Sequence, residues 1–128
     1  MALATGLSLA LPVAAAQLAG SEWRPTQLDD VALQEDAGLF LRFESNGRLS
    51  GHTGCNSFFG SYRLEDGMIE MGPFGSTRIA CEEPAMARET SFLNALAAVA
   101  TYERVGPRPT LRDEAGSPLV VFVQADWD

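Results

Sequence analysis

The stretch that decides the fold is Leu39-Phe40-Leu41-Arg42-Phe43-Glu44-Ser45-Asn46-Gly47-Arg48-Leu49-Ser50-Gly51-His52-Thr53. Leu39, Leu41 and Phe43 alternate with Phe40, Arg42 and Glu44, the period-2 pattern of a strand with one face inward. Asn46-Gly47 is a strong two-residue hairpin signal, because both central positions of a type I′ turn require positive φ. Arg48, Ser50 and His52 then alternate with Leu49, Gly51 and Thr53 on the returning strand. The pattern therefore predicts an antiparallel hairpin.

Further along the chain the same logic repeats. Phe58 to Leu64 reads as a strand, Glu65-Asp66-Gly67 as a turn and Met68 to Met71 as the partner. Thr101–Val105, Pro109–Arg112 and Pro118–Gln124 give three more strands, the last two joined by Asp113-Glu114-Ala115-Gly116. The final strand, Leu119-Val120-Val121-Phe122-Val123, is apolar on both faces, so both should be covered. No internal repeat or low-complexity tract interrupts the pattern.

One segment is helical. Pro84 suits the first helical position, where its missing N–H costs nothing, and Glu82 and Glu83 favour the positive end of the dipole. From Pro84 to about Ala100 the residues are good helix formers. Met86, Leu93, Leu96, Ala97 and Ala100 form one stripe, flanked by Phe92 and Val99, with Glu89 inside it. A carboxylate there must snorkel to the rim or find donors. We expect a structural carboxylate tied to Arg78 or to backbone amides in the Gly72–Gly75 stretch. Hairpins, one helix, then more strands predict an α+β fold: a strongly twisted antiparallel sheet forming an incomplete β-barrel with one covering helix.

Composition limits the function. The 128 residues fit one domain. They are 46% apolar, enough for a real core. Seventeen acidic residues against nine arginines, with no lysine, give a net charge of −8. Such a surface repels phosphate backbones and anionic lipid, which argues against nucleic acid and peripheral membranes as partners. A single histidine and two cysteines leave little material for catalysis. Residues 1–16 carry no charge, and Ala14-Ala15-Ala16 offers a small-residue cleavage site, so they read as a signal peptide lacking its basic start, with 17–128 as the domain. An N-terminal strand or helix is the alternative. The run is too short and interrupted for a transmembrane segment, and no lipobox cysteine is available for a lipid anchor.

Gly47-Arg48-Leu49-Ser50-Gly51-His52-Thr53-Gly54-Cys55-Asn56-Ser57-Phe58-Phe59-Gly60-Ser61-Tyr62 resembles the signature of the META domain, the family that includes the HslJ heat-shock lipoprotein. Thr77-Arg78-Ile79-Ala80-Cys81 with Met86, Glu89, Phe92-Leu93 and Ala95-Leu96 resembles its second block. Leu18, Gly20 and Trp23 resemble its opening, and Leu111, Asp113, Gly116, Leu119 and Phe122 its closing strands. The resemblance implies a small exported envelope protein associated with stress, novobiocin resistance, motility or virulence, with no assigned activity or cofactor. It also implies a cracked β-barrel with one helix, similar to type III secretion pilot proteins.

His52 and Cys55, with Cys81, suggest a metal site or a Cys–His dyad. Zinc needs at least three protein ligands, the spacing puts His52 and Cys55 on opposite faces of a strand, and no third group orients a dyad. No metal, cofactor or catalytic residue is expected. In an exported domain the two cysteines read as a Cys55–Cys81 disulfide closing a loop of about 27 residues, worth roughly 3.5 kcal/mol in the chain-entropy model. In a cytosolic protein they would be buried thiols. Gly54 and Asn56 are assigned to the turn, Asn56 satisfying backbone groups. Phe58 and Phe59 put one ring on each face, and with Tyr62 they form a candidate interaction surface. The expected function is a periplasmic or secreted, monomeric, non-enzymatic module binding an envelope protein or peptide. A carrier holding a lipid or other apolar ligand in the barrel is the alternative, and a hydrolase or redox enzyme the third.

Overall fold

The structure is a computed structural model in which residues 18–34, 37–105 and 108–125 are described. The signal-like segment 1–16 lies outside the described residues. The chain runs β1 (Ser21–Leu28), β2 (Val31–Ala32), β3 (Leu39–Phe43), β4 (Arg48–Thr53), β5 (Ser57–Glu65), β6 (Met68–Met71), β7 (Gly75–Ser76), α1 (Glu83–Ala97), β8 (Thr101–Val105), β9 (Arg108–Arg112) and β10 (Pro118–Ala125).

The deciding hairpin forms with Phe43 opposite Leu49 and Leu39 opposite Thr53. Its turn is one residue longer than expected, Ser45-Asn46-Gly47, closed by the Glu44 N–H donating to the Arg48 carbonyl at 2.9 Å. Asn46 and Gly47 do take positive φ, 69° and 74°.

The expected incomplete barrel is closed. Eight antiparallel strands form the ring β1-β3-β4-β5-β6-β8-β9-β10, and β10 returns to pair with β1. The short strands β2 and β7 attach to β1 and β5. The strand that closes the ring is Ser-Glu-Trp-Arg-Pro-Thr-Gln-Leu, which carries a proline in its middle and a buried carboxylate, both unfavourable as strand signals. The fold accommodates both. Pro25 sits where the β1–β10 register shifts, so its missing N–H falls at an irregularity of the ladder. Glu22, 4% exposed, receives Nε–H bonds from Arg24 and Arg42, each at 2.8 Å. Burial alone would raise its carboxyl, but those two guanidinium bonds hold it below the ordinary 4.5. The ring is thinnest between β6 and β8. They share one register pair, Met68 with Thr101, beside an Ile69 N–H to Ala100 carbonyl bond of 2.9 Å.

Inward residues fill the barrel. Trp23 is 0% exposed, with its ring centroid 4.6 Å from that of Phe43 and 5.4 Å from that of Phe122. Phe43 meets Tyr62 edge-on at 5.0 Å. Such contacts give the core its fixed geometry beyond area burial. The helix starts at Glu83, one residue before the expected Pro84, which lies in its first turn, and ends at Ala97 rather than near Ala100. Its buried stripe is Phe92, Ala95 and Leu96, whereas Met86 and Ala97 are exposed. The apolar face is thus rotated toward the ring of Phe92, which packs edge-on against Phe58 at 5.9 Å.

Candidate functional site

The two sequence blocks meet where β4 ends and α1 begins. Thr53, fully buried at the end of β4, turns its hydroxyl toward the chain that follows it. Its Oγ1 accepts the N–H groups of Cys55 (3.2 Å) and Asn56 (2.9 Å) and donates to Oε2 of Glu89 (2.7 Å). A threonine hydroxyl caps a turn in this way because it lies within reach of the amides two and three positions on. Gly54 takes φ +90°, and a Cβ there would stand 2.9 Å from the Ala37 carbonyl, so the turn needs glycine on both counts.

Asn56 is the hub. Its Nδ2 donates to Glu89 Oε2 (2.9 Å) and to the Ile79 carbonyl (3.1 Å). Its Oδ1 accepts the Ile79 N–H (2.6 Å) and the Thr77 hydroxyl (2.8 Å). One buried side chain therefore pins three parts of the chain: the signature turn, the 77–79 segment and the helix. Glu89, half-buried, is tied down by a hydroxyl and an amide. Arg78, the expected donor, is exposed and makes no ion pair with it, and the Gly72–Gly75 amides are not its partners. Cys55 and Cys81 are joined by a disulfide with Cα atoms 6.0 Å apart, a bond compatible with an oxidising compartment. Met86 completes the cluster, its Sδ accepting the Cys81 N–H at 3.5 Å. His52 uses Nδ1 to accept the Gly54 N–H at 3.0 Å.

Every polar group of this cluster holds backbone or helix. Sequence reasoning misses Thr53 as part of the hub, although a threonine two residues before the turn's cysteine is a recognisable turn signal.

The aromatic triplet divides. Phe58 and Tyr62 are buried in the core, and Phe59 points out, 52% exposed. Opposite Phe59 lie Ser50 on β4 and Gly75 on β7. A Cβ on Gly75 would stand 2.5 Å from Phe59 Cε1, so the ring rests on bare backbone. Beside it, the Arg42 guanidinium lies 4.7 Å over the Phe40 ring, and His52 stacks on that ring at 6.3 Å. The outer face of β3–β5 thus presents aromatic rings beside an arginine that also pairs with Glu22. Among the described residues no helix is long and apolar enough to cross a membrane.

The META domain profile matches residues 16–126. Among curated proteins none matches the chain. The NMR structure of a protein from Burkholderia xenovorans superposes with a TM-score of 0.68 at 26% identity, covering 99% of this chain and 95% of that one. A second NMR structure gives 0.72 at 21% identity, covering 89% and 97%. The crystal structure of a DUF4847 family protein from Bacteroides vulgatus ATCC 8482 gives 0.64 at 13% identity, covering 87% and 96%. The last two likenesses concern the fold alone.

Proposed function

The chain belongs to the META domain family, and from that premise we propose that it is a non-enzymatic module of the cell envelope that binds a protein or peptide partner during stress. The observation that carries this reading is Phe59, a half-exposed ring seated on Gly75 and flanked by Ser50 and the Arg42–Phe40–His52 stack. Exposed aromatic rings are enriched at the centres of protein interfaces. The Cys55–Cys81 bond supports an envelope location, with residues 1–16 acting as a cleaved signal. A non-enzymatic role is supported by the use of His52 and Glu89, both of which are committed to holding the signature turn. A carrier role for the barrel interior has less support, since Trp23, Phe43 and Phe122 occupy it.

The test is site-specific photo-crosslinking in the cells that make the protein. A photoreactive phenylalanine at position 59 should give a discrete adduct with one envelope protein. The same group at Met68, an exposed position on β6, should not. Equal labelling at both positions, or none at 59, would refute the assignment of this face.

A further inference from the structure

Arg88 precedes Glu89 on α1 and therefore faces a different side of the helix. Its Nη1 lies 3.8 Å from where a Cβ on Gly54 would stand, so the guanidinium sits over the bare backbone of the signature turn. The side chain is half-buried, yet among the described residues no carboxylate or carbonyl pairs with it. A partly desolvated guanidinium without an acceptor is costly, and it is met far more often with a bound anion or an acidic partner.

What surrounds Arg88 defines the anion. It lines a groove of about 230 Å³ between β2 and α1, together with the aliphatic Leu28, Val31, Leu33 and Ala87 and the polar Asp29 and Ser91. A second depression continues past Val31 and Leu33. Val31 is 62% exposed, an aliphatic side chain on a two-residue edge strand with no apolar cover. We infer that this groove binds an aliphatic monocarboxylate, its carboxylate on Arg88 and its chain along Val31 and Leu33.

The walls match an alkyl chain, because they present aliphatic carbon. A peptide adding to the sheet would find only the two residues of β2 to pair with. The head group is a single charge for electrostatic reasons. One planar guanidinium matches one carboxylate with two parallel bonds. Asp29 in the same lining and the net charge of −8 disfavour a second negative charge. The groove shares no lining residue with the Phe59 face and stands or falls independently of it.

The test is an amide NMR titration of the full chain with decanoate, decanol and decyl phosphate. Decanoate should give saturable shifts at Val31, Leu33, Gly54 and Ala87, and should bind about tenfold more tightly than decanol, the usual scale of one charge-assisted contact. Arg88→Gln should erase that preference and leave decanol binding unchanged. Val31→Ser should weaken both ligands while keeping the preference. The inference is overturned by an absence of saturable shifts in the wild type, by shifts centred in the barrel, or by decanoate binding Arg88→Gln as well as wild type. Tighter binding of decyl phosphate than of decanoate would overturn the carboxylate assignment.

Discussion

Asn56→Asp changes one atom of the hub and inverts its chemistry. The side chain is 2% exposed, and the substitution preserves its shape. The two bonds accepted by Oδ1, from the Ile79 N–H and the Thr77 hydroxyl, survive. The three donated by Nδ2, to Glu89, the Ile79 carbonyl and Cys55 Sγ, are lost, and the first two become oxygen–oxygen contacts, one of them with the Glu89 carboxylate, which lies 2.9 Å from the native amide nitrogen. Losing the charge-assisted bond costs about 1.5–3 kcal/mol and the bond to the carbonyl about 1. Two facing carboxylates without a cation add repulsion, so the total should reach about 3–5 kcal/mol, the range for a stranded buried charge. Glu89→Gln alone should cost only about 1 kcal/mol, because the new amide oxygen can still accept from Asn56 and Thr53. In the double variant the amide introduced at position 89 can donate to the carboxylate introduced at position 56. The pair should therefore be more stable than the sum of the singles by about 1.5–3 kcal/mol. Urea unfolding followed by circular dichroism, with m-values compared across the four proteins, measures the cycle. Additivity within about 0.5 kcal/mol, or an Asn56→Asp protein as stable as wild type, would refute the hub.

Three further outcomes are expected. The Glu22 carboxyl titrates below its unfolded value of 4.5, so its contribution is fully present above that pH and is lost as pH falls through the folded value. Unfolding free energy should therefore fall more steeply for wild type than for Glu22→Gln as the pH drops from 5, and equal pH dependence would contradict the Arg24–Glu22–Arg42 assignment. Cys81→Ser should lower stability by roughly 2–5 kcal/mol, read from urea midpoints of oxidised wild type against the variant. Tyr102→Phe should leave stability unchanged or raised, because the buried hydroxyl has no hydrogen-bond partner among the described residues; a loss above about 1 kcal/mol would reveal one.

Most of the ladder is legible because its strands alternate and its turns are marked by glycine and aspartate. The β3–β4 pairing, the β5–β6 hairpin and the β9–β10 turn lie where period and punctuation place them. β1 is not legible. Its strand character comes from partners distant in sequence: β3, which supplies Arg42 to Glu22, and β10, whose irregular register tolerates Pro25. Without it, seven strands imply an open barrel. Glu89 is recognisable as a carboxylate in need of donors, but not which ones. Arg78 is near in sequence, whereas Thr53 and Asn56 reach Glu89 only because the closed barrel brings the end of β4 under the helix. Phe59 shows the limit of alternation. The pattern says that one ring of two faces out, and only the filled interior around Phe58 decides which.

Closing the ring with the first and last strands has a kinetic consequence. β1 finds one whole edge of its partners only in β10, and the Thr26 hydroxyl donates to the Val121 carbonyl across 95 residues. A chain emerging from the ribosome N-terminus first must carry Trp23 and an unpaired β1 edge until β10 has been made. Loop-closure entropy is spent before that contact returns anything, so folding is slow for a domain of this size. Until then the nascent chain is an open sheet whose exposed edges, β1 and β9, can pair with other chains. A product truncated before Pro118 would be held in that state permanently.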